Sequence, residues 1–238
     1  MLLFKRYIFI ISSFILISLL INCKKEHYYS NNSNNSHRQY DNPPVIEDSL
    51  ALKIFERDTI LKGDTNDVMR ILKIWKIENN DTITIQDDSV FLRKKCHNVR
   101  PDTTDTILHR LIRRMYHTLI LSQGVGIAAP QVGINRNIIW VKRTDKVGKP
   151  FEVYLNPKIV SYSNNKIIFY NDGCLSIPSL SGRTDRYSSV YIEYDKIDGT
   201  HCHEIVEGYG SSNFTAVIFQ HEIDHLNGIL FIDKIHQY

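Results

Sequence analysis

In residues 107–121 the apolar side chains Leu108, Leu111, Ile112, Met115, Leu119 and Ile120 recur at spacings of three and four. That period predicts an amphipathic helix, with Arg110, Arg113 and Arg114 left on its solvent face. From residue 137 onward the pattern changes to short β-rich runs broken by turn residues, at 138–141, 151–155, 167–170 and 190–194. Asp198-Gly199 then signals a hairpin between the last of these runs and a further strand at 204–206. A closing helix is expected from about Asn213, a candidate N-cap, and it carries two histidines inward. One periodic helix, a series of strands and a final helix predict an α+β fold. Residues 68–77 alternate in a way that fits either strand or short helix.

The N-terminal part has a different texture. Lys5-Arg6 precedes an almost unbroken apolar stretch, residues 7–21, which fits the basic and hydrophobic regions of a secretory signal and is short for a membrane-spanning helix. Leu20-Ile21-Asn22-Cys23 resembles the lipobox of bacterial lipoproteins, although Asn22 stands where glycine, alanine or serine is usual. Residues 28–44 are polar and rich in asparagine and serine, too poor in apolar surface to offset their ordering entropy. The expected organisation is a signal peptide or membrane anchor over 1–22, a flexible tether over 23–80 and a catalytic domain over 81–238. The location implied is an exported lipoprotein held to the membrane by lipid or signal anchor, with a cytoplasmic form as the alternative. A chain of 238 residues with 42% hydrophobic content can bury a core, and a net charge of +3 is too small to argue for a nucleic-acid partner.

The chemistry is concentrated in His221-Glu222-Ile223-Asp224-His225. Histidines four apart on a helix share one face and can grip one metal ion, with Glu222 beside them as general base. Such a run also arises on solvated helix faces, so a third ligand decides. The zinc-protease continuation H-E-x-x-H-x-x-G-x-x-H is followed as far as Gly228 but has Phe231 in place of the last histidine, and residues 226–238 contain no glutamate. The ligand is therefore sought upstream. Cys174, in Asp172-Gly173-Cys174-Leu175-Ser176, is the first candidate, its preceding glycine permitting close backbone approach or an unusual dihedral. His201-Cys202-His203 is the rival source, and in an oxidising compartment Cys96 and Cys202 are free to pair.

Three segments together resemble the peptide deformylase family: Gly124-Val125-Gly126-Ile127-Ala128-Ala129-Pro130-Gln131, Gly173-Cys174-Leu175-Ser176, and the run from His221 to His225. The resemblance implies a peptide-deformylase-like fold, with antiparallel β-sheets around the C-terminal metal-binding helix. It implies that Cys174, His221 and His225 hold one divalent metal, ferrous iron in preference to zinc or nickel. Glu222 would shuttle the proton, and Gln131 and the Leu175 backbone N–H would stabilise the oxyanion. The substrate implied is an N-formylmethionyl peptide, paired along Val125, Gly126 and Gly173, its methionine in a pocket of Val125, Phe214 and Val217. Phe214 and Val217 also fit simple core packing, since they precede His221 by seven and four. A monomer is expected. Asp172 departs from the glutamate common in the family, a shortening expected to weaken a contact behind the ligands, for instance with Arg186.

Alternatives from other classes are an exported, non-catalytic binding lipoprotein, a hydrolase of other N-acyl peptides, and a zinc endopeptidase.

Overall fold

The computed structural model describes residues 22–25, 49–79, 82–208 and 210–236. The strands are β1 (Asn22–Lys25), β2 (Ile74–Asn79), β3 (Thr82–Asp87), β4 (Gly126–Ala128), β5 (Ile138–Lys142), β6 (Phe151–Tyr162), β7 (Lys166–Cys174), β8 (Ile177–Tyr187), β9 (Ser189–Asp195) and β10 (Thr200–Glu207). The helices are α1 (Ile54–Leu61), α2 (Ser89–Leu92), α3 (Thr106–Leu121) and α4 (Thr215–Leu226). A six-stranded sheet runs in the order β1-β10-β9-β6-β5-β4, while β2-β3 and β7-β8 form separate hairpins, all antiparallel. The result is the α+β architecture the sequence predicts.

Helix α3 forms where the period places it. The Asp105 side chain accepts from the backbone N–H groups of Ile107 and Leu108, satisfying donors that the first turn leaves open. Leu108, Leu111, Met115 and Leu119 then pack with Ile127, Ile134, Ile138 and Leu155 into one core cluster. Two expectations fail on this helix. Ile120 is 39% exposed, and Arg114, placed on the solvent face, is 4% exposed. Arg114 points back at the N-terminal segment, where its guanidinium donates to the carbonyls of Ile60, Asp67 and Val68 at 2.7, 3.1 and 3.3 Å.

Those carbonyls belong to what the composition predicts as tether. From residue 49 the chain instead folds onto the domain: Leu52, Ile60 and Met69 join the α3 core cluster, and Glu56 on α1 is paired with Arg136 at 2.8 Å, both side chains almost fully buried. Residues 68–73 carry no regular element and lead into β2, which begins at Ile74. The leader, residues 1–21, and the spacer through residue 48 lie outside the described residues. Among the described residues no helix is long and apolar enough to cross a membrane. Strand β1 is in register with β10 such that Cys23 lies opposite Cys202. Cys202 is disulfide-bonded and Cys96 is a buried free thiol, so the Cys96–Cys202 pairing that an oxidising compartment would permit does not form.

Candidate metal centre

Helix α4 is buried on nearly every side. Ala216, Val217, Ile218, Phe219, Ile223 and Leu226 are buried, and the helix packs on β4 and β5. Its N-cap is Phe214, one residue beyond the candidate Asn213, whose side-chain oxygen nevertheless accepts from the Thr215 N–H at 3.2 Å. At the other end Gly228 has φ +72, and a Cβ there would collide with the Arg93 backbone. Two side chains fix the helix against β8. Gln220 bonds the Tyr187 N–H and C=O at 2.8 and 2.9 Å, and Arg186 reaches Asp224 at 2.6 Å.

So held, His221 and His225 lie on one face with ring centroids 5.1 Å apart. The tight β7-β8 connection, in which Cys174 pairs with Ile177, brings the thiol to them. Cys174 Sγ is 3.2 Å from His225 Nε2, and it accepts from the Ser176 N–H and the Gln131 amide, each at 3.4 Å. The ligand atoms of Cys174, His221 and His225 all lie within 4.8 Å of one another, the one such trio among the described residues. The rival pair does not converge: His201 bonds Asp195 at 2.7 Å, and the His203 ring packs near Tyr191, 5.6 Å between centroids. Gln131 comes from a 3₁₀ turn, Ala129–Val132, after β4. Its Oε1 accepts from the Ala128 N–H at 2.8 Å, which turns Nε2 toward Cys174 and Ser176.

Behind the histidines is a buried polar network. Asp172 Oδ1 faces His221 Nδ1 at 3.0 Å, while Oδ2 accepts from Thr184 Oγ1 at 2.7 Å and from Arg186 at 2.9 Å. The contact expected to suffer from the shorter carboxylate is therefore made. Burial alone would push the Asp172 carboxyl up, but the His221 hydrogen bond and the charges of His221 and Arg186 hold it well below the usual carboxylate range. Burial likewise opposes ionisation of Cys174, and the two imidazoles outweigh it and lower the thiol well below its ordinary value. His221 is raised well above the imidazole range: burial acts against its charge, but Asp172 and the Cys174 sulfur prevail. A thiolate beside two imidazoles is a soft, anionic donor set, and a divalent cation there takes the place of the proton.

Glu222 stands next to this trio. Burial raises its carboxyl to about 7. Its Oε2 is buried without a hydrogen-bond partner, which leaves one carboxylate oxygen available to a ligand or water. A Cβ on Gly126 would collide with the other oxygen, so only glycine lets β4 pass this close to the carboxylate. The orphaned oxygen, the thiolate and the imidazoles fit a bound metal with an adjacent base.

The cluster lies at the floor of a cavity of about 1070 Å³. Every residue singled out for substrate contact, Val125, Gly126, Gly173, Phe214 and Val217, lines it, as do Gln131 and Leu175. Strand β4 is the last strand of its sheet, so its outer edge can accept an extended peptide. Gly173 is explained differently from the expectation. A Cβ there would meet nothing closer than 3.9 Å within the chain, so the residue leaves room in the cavity and does not relieve a contact. The sequence reading passes over Ser176, Thr184, Ile71 and Lys73. Ser176 falls inside a quoted motif, whereas the others carry no local signal and are identified only by the contacts of the fold.

A family model described as polypeptide deformylase matches residues 81–238. A peptide deformylase of Desulforudis audaxviator is 37% identical over 150 residues, covering 63% of this chain and 90% of that protein. A chloroplastic peptide deformylase 1B of Solanum lycopersicum is 37% identical over 142 residues, 59% of this chain, which spans about half (49%) of that longer protein. The crystal structure of peptide deformylase from Thermotoga maritima superimposes with a TM-score of 0.56 at 32% identity, over 71% of this chain and 99% of that one. Each of these relatives is named a peptide deformylase.

Proposed function

Because the chain belongs to the polypeptide deformylase family, we propose that it removes the formyl group from N-formylmethionyl peptides, giving formate and a free α-amine. The observation that carries this is the meeting of a Cys174-His221-His225 trio, the buried Glu222 carboxylate and the oriented Gln131 amide on one cavity.

Cys174, His221 and His225 would hold a divalent metal, which when bound would supply the positive charge that polarises the formyl carbonyl and acidifies the attacking water. Glu222 takes the proton from that water as its oxygen bonds to the formyl carbon, and returns it to the amine nitrogen as the C–N bond breaks. The Gln131 Nε2 and the Leu175 backbone N–H donate to the oxyanion, a contribution of several kcal/mol for groups fixed in advance. The peptide backbone adds to the edge of β4 at Val125 and Gly126 and passes Gly173, while Val125, Phe214 and Val217 receive the methionine side chain. Ferrous iron is the metal we assign, with zinc and nickel acceptable to the same donors. The basic pair and apolar stretch of residues 5–21 support a membrane-tethered location, checked by membrane fractionation that deletion of residues 1–21 abolishes.

Formate release from formyl-Met-Ala-Ser by iron-loaded protein tests the activity. Release that is lost in Glu222→Ala supports it, and release no greater than that variant's overturns it.

A further inference from the structure

Part of the cavity wall comes from Ile71 and Lys73, ahead of the segment that matches the family model. This stretch is fixed at three consecutive residues. The Leu72 N–H donates to the Gln131 carbonyl at 2.8 Å and the Ile74 N–H to the Ser176 carbonyl at 2.8 Å. Between them the Lys73 N–H donates to Asp88 Oδ2 at 2.8 Å, and its carbonyl accepts from the Asp88 N–H at 3.0 Å. Side chains alternate along extended chain. Leu72 and Ile74 pack on the cluster of Leu92, Cys174, Ile177, Leu230 and Phe231, so Ile71 and Lys73 face the other way, into the cavity.

Lys73 brings a charge to this wall, and the nearest carboxylate on its own segment, Asp88, is taken up by the Lys73 N–H, Gln86 and Arg70. The other charged lining residues are Asp172, already paired with Arg186, and Glu222, Cys174 and His221 of the metal centre; the rest of the lining is apolar or neutral. Among the described residues no carboxylate pairs with the Lys73 ammonium, which lies 5.0 Å over the Trp75 ring. The stretch places a single cation on a largely apolar wall whose backbone is tied to both the Gln131 turn and the Cys174 loop.

We propose that Lys73 is a specificity-determining residue that selects formylated peptides with an acidic side chain in the residues just after the formylmethionine. This rests on the deformylase reading of the site. A cation at a solvent-facing wall discriminates by a modest Coulomb term that salt screens, about threefold to fivefold between opposite substrate charges.

The test uses full-length, iron-loaded protein and C-terminally amidated formyl-Met-Ala-Glu, formyl-Met-Ala-Gln and formyl-Met-Ala-Lys, with a second set carrying Glu, Gln or Lys directly after methionine. In at least one set kcat/KM should be about threefold to fivefold higher for Glu than for Lys at low salt, converge at high salt, level in Lys73→Met and reverse in Lys73→Glu. Calorimetric binding of the unformylated amides, which needs no turnover, should follow the same order. Equal kcat/KM across both sets, or a preference that survives Lys73→Glu, overturns the assignment of Lys73 alone. No formate from any peptide overturns the deformylase reading, and the binding order then still decides for or against Lys73.

Discussion

At the scale of single residues, the carboxylate behind His221 shows how a short side chain is kept useful. Asp172 turns one oxygen to His221 and gives the other to Thr184 and Arg186, so its position is fixed by two neighbours. Thr184→Val keeps the shape and deletes one donor. Partners of this kind contribute about 10- to 100-fold to metal affinity. We expect metal loss to a chelator about tenfold faster in Thr184→Val and restored in Thr184→Ser; equal rates would assign Thr184 to packing alone. Glu222 offers a second measurement. Its carboxyl is raised from 4.5 to about 7 by burial, so the folded chain holds that proton more tightly than the unfolded one. Stability of the metal-free protein is then fully present below about pH 4.5 and falls as the pH rises toward 7, by on the order of 3 kcal/mol. Urea midpoints of wild type and Glu222→Gln across pH 5–7.5 read this, the variant lacking the decline. Cys174, His221, Glu222, His225 and Gln131 were legible in the sequence because each sits in a run that the chemistry or the family resemblance marks. Thr184 and Lys73 were not, since what distinguishes them is a partner far away in the chain.

At the scale of elements, periodicity found α3 and five of the ten described strands, and it failed where an amphipathic pattern hides a long polar side chain. Arg114 sits at a polar position of the helix, yet the N-terminal segment covers it and supplies the carbonyls its guanidinium needs. A pattern records which side chains are polar, and only packing decides which polar side chains are buried. Strand β6 likewise runs to Tyr162, well past the apolar stretch at its start, because its register with β9 continues through two irregularities. For α4 the question is what holds the metal-binding face in place. Gln220 bridges both backbone groups of Tyr187, so Gln220→Leu leaves a donor and an acceptor unpaired. The expected loss is about 3 kcal/mol, seen as a lower urea midpoint, from roughly 1–3 kcal/mol for each unmet buried group. A change under 0.5 kcal/mol would show that water replaces the glutamine.

At the scale of the whole molecule, the family model matches residues 81–238, while the docking of residues 49–79 was not legible in the composition. Leu52, Ile60 and Met69 alternate with Ile54, Phe55, Leu61 and Val68, which stay exposed, and only the finished surface of α3 and Arg136 decides which of these apolar residues are buried. The Glu56–Arg136 pair makes that docking testable. Glu56→Leu strands a buried guanidinium, with an expected cost of about 3–5 kcal/mol. The double variant Glu56→Leu with Arg136→Met should recover much of it. Because the same docked segment continues into the Lys73 wall of the cavity, residues outside the family match help to shape its active-site cleft.

The central claim is that one metal on Cys174, His221 and His225, with Glu222 as base, hydrolyses a formyl group. Ferrous iron titrated into metal-free protein under anaerobic conditions, with formate release from formyl-Met-Ala-Ser followed at each addition, tests it in one experiment. The rate should rise linearly and level at one equivalent for wild type, while Glu222→Ala binds the same equivalent and stays at background. Formate release independent of metal, or a Glu222→Ala rate equal to wild type, would contradict it.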